Sequence, residues 1–243
     1  MANPVRIAMW SGPRNISTAL MRSWGNRPDT MVIDEPFYAL YLQRTGKHHP
    51  GWTEIVSQTQ TDVDKIIESL LASLPADKTV FYQKQMAHHL WPGIDRTWLN
   101  AVTNCFLIRD PADVITSYLR KNPEPTIEDL GFIQQAELFD LVRCTIGAVP
   151  PIIDASDVLQ NPRRTLHLLC RAVGVEFDTA MLSWPPGLRE TDGIWAKYWY
   201  AEVAKSTCFQ PYRSKAEAIP VRLQKIYEQC RDAYEELYKY RLH

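Results

Sequence analysis

Four charged residues stand just after apolar runs that read as buried strands: Arg14, Glu35, Lys84 and Arg109. Guanidinium and ammonium groups grip phosphate or sulfate oxygens through charge-assisted hydrogen bonds, and a carboxylate among them can take a proton. That mix suits a site that holds a polyanion and deprotonates a second molecule. The turn Ser11-Gly12-Pro13-Arg14-Asn15-Ile16-Ser17-Thr18 carries most of this chemistry. A helix opening with Asn15 as its N-cap leaves the N–H groups of Ile16, Ser17 and Thr18 without intrahelical partners. With two hydroxyls, the Arg14 side chain and the positive end of the helix dipole, those amides make a phosphate cradle. A kinase-type loop needs Gly-x-x-x-x-Gly-Lys-Ser/Thr; here Ile16-Ser17 replaces the Gly-Lys pair, and the lysine is missing. The bland alternative is a capped helix after a tight turn.

Candidate bases are Glu35, which ends the second apolar run, and His88, with His89 beside it after the third. Glu35 is the favoured one and His88 the runner-up, since neither histidine has a partner visible in sequence. His48 and His49 could reach the site from a loop. No metal-ligand spacing stands out, and the five cysteines are scattered without any Cys-x-x-Cys pair, so they read as thiols rather than disulfides or a zinc site.

The elements that must position these groups alternate. Strands are expected at Val5–Trp10, Thr30–Asp34, Thr79–Gln83, Asn104–Ile108 and Pro151–Asp154. Helical spacing runs from Asp62 to Leu74, from the Asp110-Pro111 cap onward, from Thr126 to Val142, and from Arg163 to Val173 before Gly174. Residues 184–213 are rich in Pro, Gly and aromatics and read as a loop over the sheet, in which Lys197 and Lys205 could reach phosphates. Residues 216–240 return to a helical pattern. This predicts an α/β fold, a mostly parallel β-sheet flanked by helices on both faces, of P-loop nucleotide-binding type, in one domain over residues 1–243 with its core at about 5–173. In such sheets ligands bind outside the carboxyl ends of the strands, where the four charges fall.

The first turn also resembles the 5′-phosphosulfate loop of sulfotransferases that use 3′-phosphoadenosine 5′-phosphosulfate (PAPS). In that family strand one ends in Pro-Lys/Arg-Ser-Gly-Thr/Ser-Thr, and here Pro13, Arg14, Asn15, Ile16, Ser17 and Thr18 fill the pattern. The departures are Asn15 for Ser and Ile16 for Gly. A second stretch, Arg109-Asp110-Pro111-Ala112-Asp113-Val114-Ile115-Thr116-Ser117, is similar to the family's 3′-phosphate site. A weaker match, Ala155-Ser156-Asp157-Val158-Leu159-Gln160-Asn161-Pro162, has Ala155 where an aromatic residue commonly meets the adenine. The resemblance implies Arg14, Asn15, Ile16, Ser17 and Thr18 on the 5′ side and Arg109 with Ser117 on the 3′ side. It supports Arg14 in stabilising the leaving group and makes Lys84 a plausible helper. Some branches use a carboxylate base in the region of Glu35. Others use Lys-x-His, which would put the base at Met86.

Lys and Arg number 27 against 28 Asp and Glu, a balance that argues against a surface built for nucleic acid or anionic membrane. No apolar run is long enough to span a bilayer, and no signal peptide precedes the first strand, so a cytoplasmic location is expected. The expected activity is transfer of a sulfuryl group from PAPS, without a metal, to a hydroxyl or amine of a small molecule or glycan. A nucleotide-dependent kinase and a catalytically inactive nucleotide-binding protein are the alternatives.

Overall fold

The computed structural model describes residues 4–212 and 218–243. Arg213 at the end of the expected loop and Ala216 at the start of the expected last helix lie outside the described residues.

Alternating apolar side chains lay down the sheet. β1 (Val5–Ser11) points Ile7 and Met9 to one face and Ala8 and Trp10 to the other, all inaccessible to solvent. A strand apolar on both faces belongs in the middle of a covered parallel sheet. It sits there: the sheet has five strands in the order β2-β3-β1-β4-β5, with β2 (Thr30–Asp34), β3 (Val80–Met86), β4 (Thr103–Ile108) and β5 (Ile152–Asp154). All its pairings are parallel.

The connecting helices are α1 (Ser17–Gly25), α2 (Tyr38–Thr45), α3 (Trp52–Gln58), α4 (Val63–Leu71), α5 (Pro111–Leu119), α6 (Ile127–Leu130) and α7 (Phe132–Ile146), followed after β5 by α8 (Ala155–Gln160), α9 (Pro162–Ala172), α10 (Ala196–Trp199) and α11 (Gln224–Tyr238). One core gathers Leu20, Met21 and Trp24 of α1 with Leu166 and Leu169 of α9 beneath Ile7, Met9 and Leu107. The other gathers Leu70 of α4, Leu138 and Phe139 of α7 and Leu237 of α11 over Trp10 and Phe106. Each such side chain contributes roughly 1.5–3 kcal/mol by leaving water. Because β1 hands its chain to one face and β4 to the other, their carboxyl ends form the switch point at which open α/β sheets bind ligands.

The expected strands are all present, and the helices expected after Asp62, at the Asp110 cap and near Arg163 are found. Asp110 caps α5 by accepting from the Ala112 amide at 2.8 Å. Three readings are corrected. The third strand runs past Gln83 to Met86, so Lys84 lies inside it. The stretch Thr126–Val142 is two helices, broken where Gly131 takes a φ of 73°. The last helix starts at Gln224, after the Pro220 step and a short 3-10 turn at Val221–Leu223. Helices α2 and α3 were not foreseen. Their aromatic-rich residues join a separate cluster in which Tyr38, Tyr41 and Leu42 meet Trp195, Ala196 and Tyr200 of the aromatic segment. Among the described residues, no helix is long and apolar enough to cross a membrane.

Candidate active site

The turn after β1 is held from below. A Cβ on Gly12 would come within 2.9 Å of the Leu130 carbonyl, so only glycine lets the α6–α7 junction close on the turn. Arg14 then takes a left-handed φ of 54°, uncommon for a residue with a side chain. Asn15 is not the helix cap. Its amide donates to the Leu107 carbonyl at 3.0 Å, tying the turn to β4, while its oxygen accepts from the Ile16 N–H at 2.9 Å. Ile16 takes the cap position, and the first intrahelical bond is Leu20 N–H to Ile16 O at 2.9 Å. The orphan amides are therefore those of Ser17, Thr18 and Ala19, one residue later than expected.

The two motifs meet. Arg14 Nε donates to Ser117 Oγ at 3.1 Å, and Arg109 Nη1 donates to the Arg14 carbonyl at 3.0 Å across 95 residues of sequence. Arg109 also pairs with Asp113 at 3.3 Å, one turn into α5. Arg14 meets no carboxylate in an ion pair among the described residues. Partial burial of its guanidinium pushes it below its ordinary proton affinity, and Arg109 and Arg120 nearby add to this. The missed member of the group is Arg120, at the far end of α5. A cluster of like charges at a helix N-terminus is relieved by a bound anion.

The other flank is built differently. Lys84 does not end a strand; it is buried at mid-β3, with its side chain 1% exposed. Its ammonium donates to Asp34 Oδ1 at 2.9 Å, to the Tyr200 hydroxyl at 2.8 Å and to Glu35. Those contacts use the three donors an ammonium has, so Lys84 holds none in reserve for a phosphate. Asp34 and Tyr200 were not singled out in the sequence. Glu35 follows β2 at a left-handed φ of 41°, and Arg14 and Glu35 are the non-glycine residues with positive φ among the described residues. Such backbone outliers gather where side-chain aim matters more than local comfort. Removal of Glu35 from water raises its proton affinity above the carboxylate norm; Lys84 opposes this and Asp34 adds to it.

The histidines follow β3 on a 3-10 turn, Ala87–His89. Burial pushes His88 down to about 3, with Lys47 adding to the effect, and pushes His89 well below the imidazole norm. Both are neutral at physiological pH. The Nδ1 atoms of His88 and His89 are buried without a hydrogen-bond partner. His88 nonetheless borders the anion turn: a Cβ on Gly131 would sit 3.1 Å from its Nδ1 and 3.5 Å from Pro13 Cδ. His49 reaches the same wall, its Nδ1 2.8 Å from the Tyr38 hydroxyl, while the exposed His48 packs against Trp52. Tyr41 stacks on His89 with ring centres 4.6 Å apart, and Tyr38 meets Trp195 edge-on at 5.1 Å.

The lysines of the aromatic segment do not approach this edge. Lys197 pairs with Glu54 and Lys205 with Glu202, both on the surface. The weak third motif is no ring site either, since Ala155 is buried in the core at the end of β5. A cleft of about 470 Å³ bordered by Ile94, Asn104 and Ile146 opens at the amino end of β4, on the opposite edge of the sheet. Among the described residues there is no group of three or more His, Cys, Asp or Glu side chains arranged to hold a metal.

This parallel sheet, with arginines and a helix start at its carboxyl edge, defines a fold that also occurs among solved sulfotransferases. The sulfotransferase-domain family pattern matches residues 5–220, and the chain belongs to that family. It aligns over its whole length with the sulfotransferase domain of the Synechococcus PCC 7002 olefin synthase, at a TM-score of 0.62, 20% identity and 98% of that chain. A sulfotransferase from Alicyclobacillus acidocaldarius aligns over 100% of this chain and 98% of its own, at a TM-score of 0.57 and 13% identity. At these identities the likeness concerns the fold. In sequence, the chain is 31% identical over 228 residues to branched-chain-amino-acid aminotransferase-like protein 2 of Arabidopsis thaliana, covering 94% of this chain and 40% of that protein. Protein 1 of the same name in that plant is 31% identical over 221 residues, 39% of its length. The chain thus spans about two fifths of the curated relatives it matches.

Proposed function

We propose that residues 1–243 act as one catalytic domain that transfers the sulfuryl group of PAPS to a hydroxyl or amine of a small molecule or glycan. The observation that carries the reading is the contact of Arg14 with Ser117 and of Arg109 with Arg14, which brings a 5′-side and a 3′-side anion motif together. The phosphosulfate end lies in the P-loop-like turn, against the amides after Ile16, and the 3′-phosphate lies against Arg109 and Ser117. Family membership favours this over the kinase alternative, which also lacks its lysine.

In the reaction the acceptor oxygen or nitrogen attacks sulfur from the side opposite the 5′-phosphate. A new bond to sulfur forms as the bond from sulfur to the bridging phosphate oxygen breaks, and that oxygen keeps the electron pair. Arg14 and the helix N-terminus stabilise its growing charge. Glu35 takes the acceptor's proton, its raised proton affinity making it a stronger base than an ordinary carboxylate. His88 is the poorer base, because burial makes protonation unfavourable. It remains suited to aligning the acceptor by a hydrogen bond. Lys84 serves Glu35 rather than the phosphate.

Calorimetry with adenosine 3′,5′-bisphosphate in the absence of magnesium tests the binding half, and ³⁵S-labelled PAPS with a panel of alcohols, phenols, amines and glycans tests transfer. Binding without transfer to any acceptor in that panel would favour the inactive nucleotide-binding alternative. Binding that required magnesium and ATP would restore the kinase.

A further inference from the structure

One buried ammonium faces two carboxylates on adjacent residues, the last of β2 and the one that follows it. Lys84 pairs with both Asp34 and Glu35, whose side chains are 1% and 13% exposed. With all three charged, the group carries a net negative charge out of water, which is costly unless one carboxyl keeps a proton. The surroundings decide which one. Asp34 accepts from Lys84 at 2.9 Å, from the Tyr200 hydroxyl at 2.7 Å and from the Gly193 amide at 3.0 Å. Three donors thus engage both oxygens of Asp34. Glu35 has only Lys84 as a donor among the described residues.

Resting on the assignment of Glu35 as the base, we propose that Asp34, braced by Tyr200 and the Gly193 amide, is a positioning residue that claims the charge of Lys84 and so leaves Glu35 as the group that gains and loses the proton. Without it, Lys84 and Glu35 would form an ordinary ion pair, and a carboxylate in such a pair is a poor base. The aromatic segment becomes part of the catalytic apparatus on this view. Its hydrogen bonds reach the base's neighbours Asp34 and Lys84, and it is itself latched down by the buried Arg22–Asp192 pair. The groups facing Glu35 are Asp34 on β2, Lys84 on β3, Tyr38 on α2 and Tyr200 just after α10, with His89 facing Lys84 from the 3-10 turn. Of these, Asp34 alone competes with Glu35 for the lysine as a carboxylate.

The test needs neither acceptor nor PAPS. Carbon-13 NMR of side-chain carboxyls in uniformly labelled protein follows the titration of Glu35, its signal assigned by its absence in Glu35→Gln. Asp34→Asn should lower the Glu35 midpoint by about one pH unit or more, a tenfold fall in proton affinity. Tyr200→Phe weakens Asp34's hold on its charge and should move Glu35 in the same direction by less. It supplies the reading if Asp34→Asn does not fold. A Glu35 midpoint that stays within a few tenths of a unit in a folded variant overturns the proposal. The parent assignment fails separately, if Glu35→Gln transfers labelled sulfate as fast as the unaltered protein while the titration still responds to Asp34.

Discussion

At the carboxyl edge on the β4 side, Arg14, Arg109 and Arg120 crowd together. Arg14 Nε rests on the Ser117 hydroxyl, and Arg109 shares Asp113 at 3.3 Å. On the β2–β3 side a single cation, Lys84, is enclosed by Asp34, Glu35 and Tyr200 and shielded from water. One flank gathers guanidinium groups beside a helix start, a combination that attracts an anion. The other sets two carboxylates against one ammonium. In the proposed reaction they divide the labour: one side takes the anion and the other takes the proton. Lysine and arginine are not interchangeable in this arrangement, because a planar guanidinium presents a fork to an oxyanion, whereas a compact ammonium can be surrounded by protein.

Substitutions on the two flanks should therefore fail in different ways. Glu35→Gln is expected to lower turnover about 10²–10⁴-fold with little change in bisphosphate affinity, read by labelled-sulfate transfer beside calorimetry. An undiminished rate would move the base elsewhere. The same variant should be more stable at pH 7. The folded protein raises the proton affinity of Glu35 above that of the unfolded chain, so its charge opposes folding once the pH exceeds the ordinary carboxylate range. Thermal unfolding at pH 7 should show the gain, and it should fade as pH falls through that range.

Lys84→Met comes next. Removing one partner from a buried pair costs about 3–5 kcal/mol, here by leaving two carboxylates against each other. The loss should be greatest at neutral and alkaline pH and shrink in acid, where the carboxyls take protons; denaturant titrations at two pH values check it. If stability barely changed at either pH, the contrast between the flanks would be wrong.

Arg109→Ala should weaken adenosine 3′,5′-bisphosphate about 10–100-fold, the worth of a hydrogen bond to a charged group, and adenosine 5′-monophosphate much less. Equal losses would remove the 3′-phosphate assignment. The smallest effect is expected for Lys197→Ala. Its partner Glu54 lies at the surface, where an ion pair contributes little to stability, and nucleotide affinity should be unaltered. A tenfold loss in affinity there would bring the aromatic segment into the anion site.

Much of this frame is legible along the chain because its signals are local. Apolar runs such as Val5–Trp10 and Thr30–Asp34 mark their own strands, and Asp110-Pro111 marks its own helix start. Lys84 was misplaced for an equally local reason: Gln83, Lys84 and Gln85 are polar, yet all are buried in β3. Gln83 donates to the Leu70 carbonyl of α4 at 2.9 Å. Helices α2 and α3 were invisible because their aromatic faces find partners far along the chain, as when Tyr38 packs against Trp195.

From the order of residues alone came the strand-and-helix alternation, the anion turn at Pro13 to Thr18, its second motif at Arg109 to Ser117 and a carboxylate at the end of β2. Each of these depends on a few neighbouring residues and on backbone geometry that neighbours dictate. Tertiary structure decided which charges stay available and which are consumed inside the protein. Arg14 and Lys84 look alike in sequence. Only the folded chain brings Tyr200 and the Gly193 amide against Asp34, and burial in that company turns one cation inward while the other remains at the crevice.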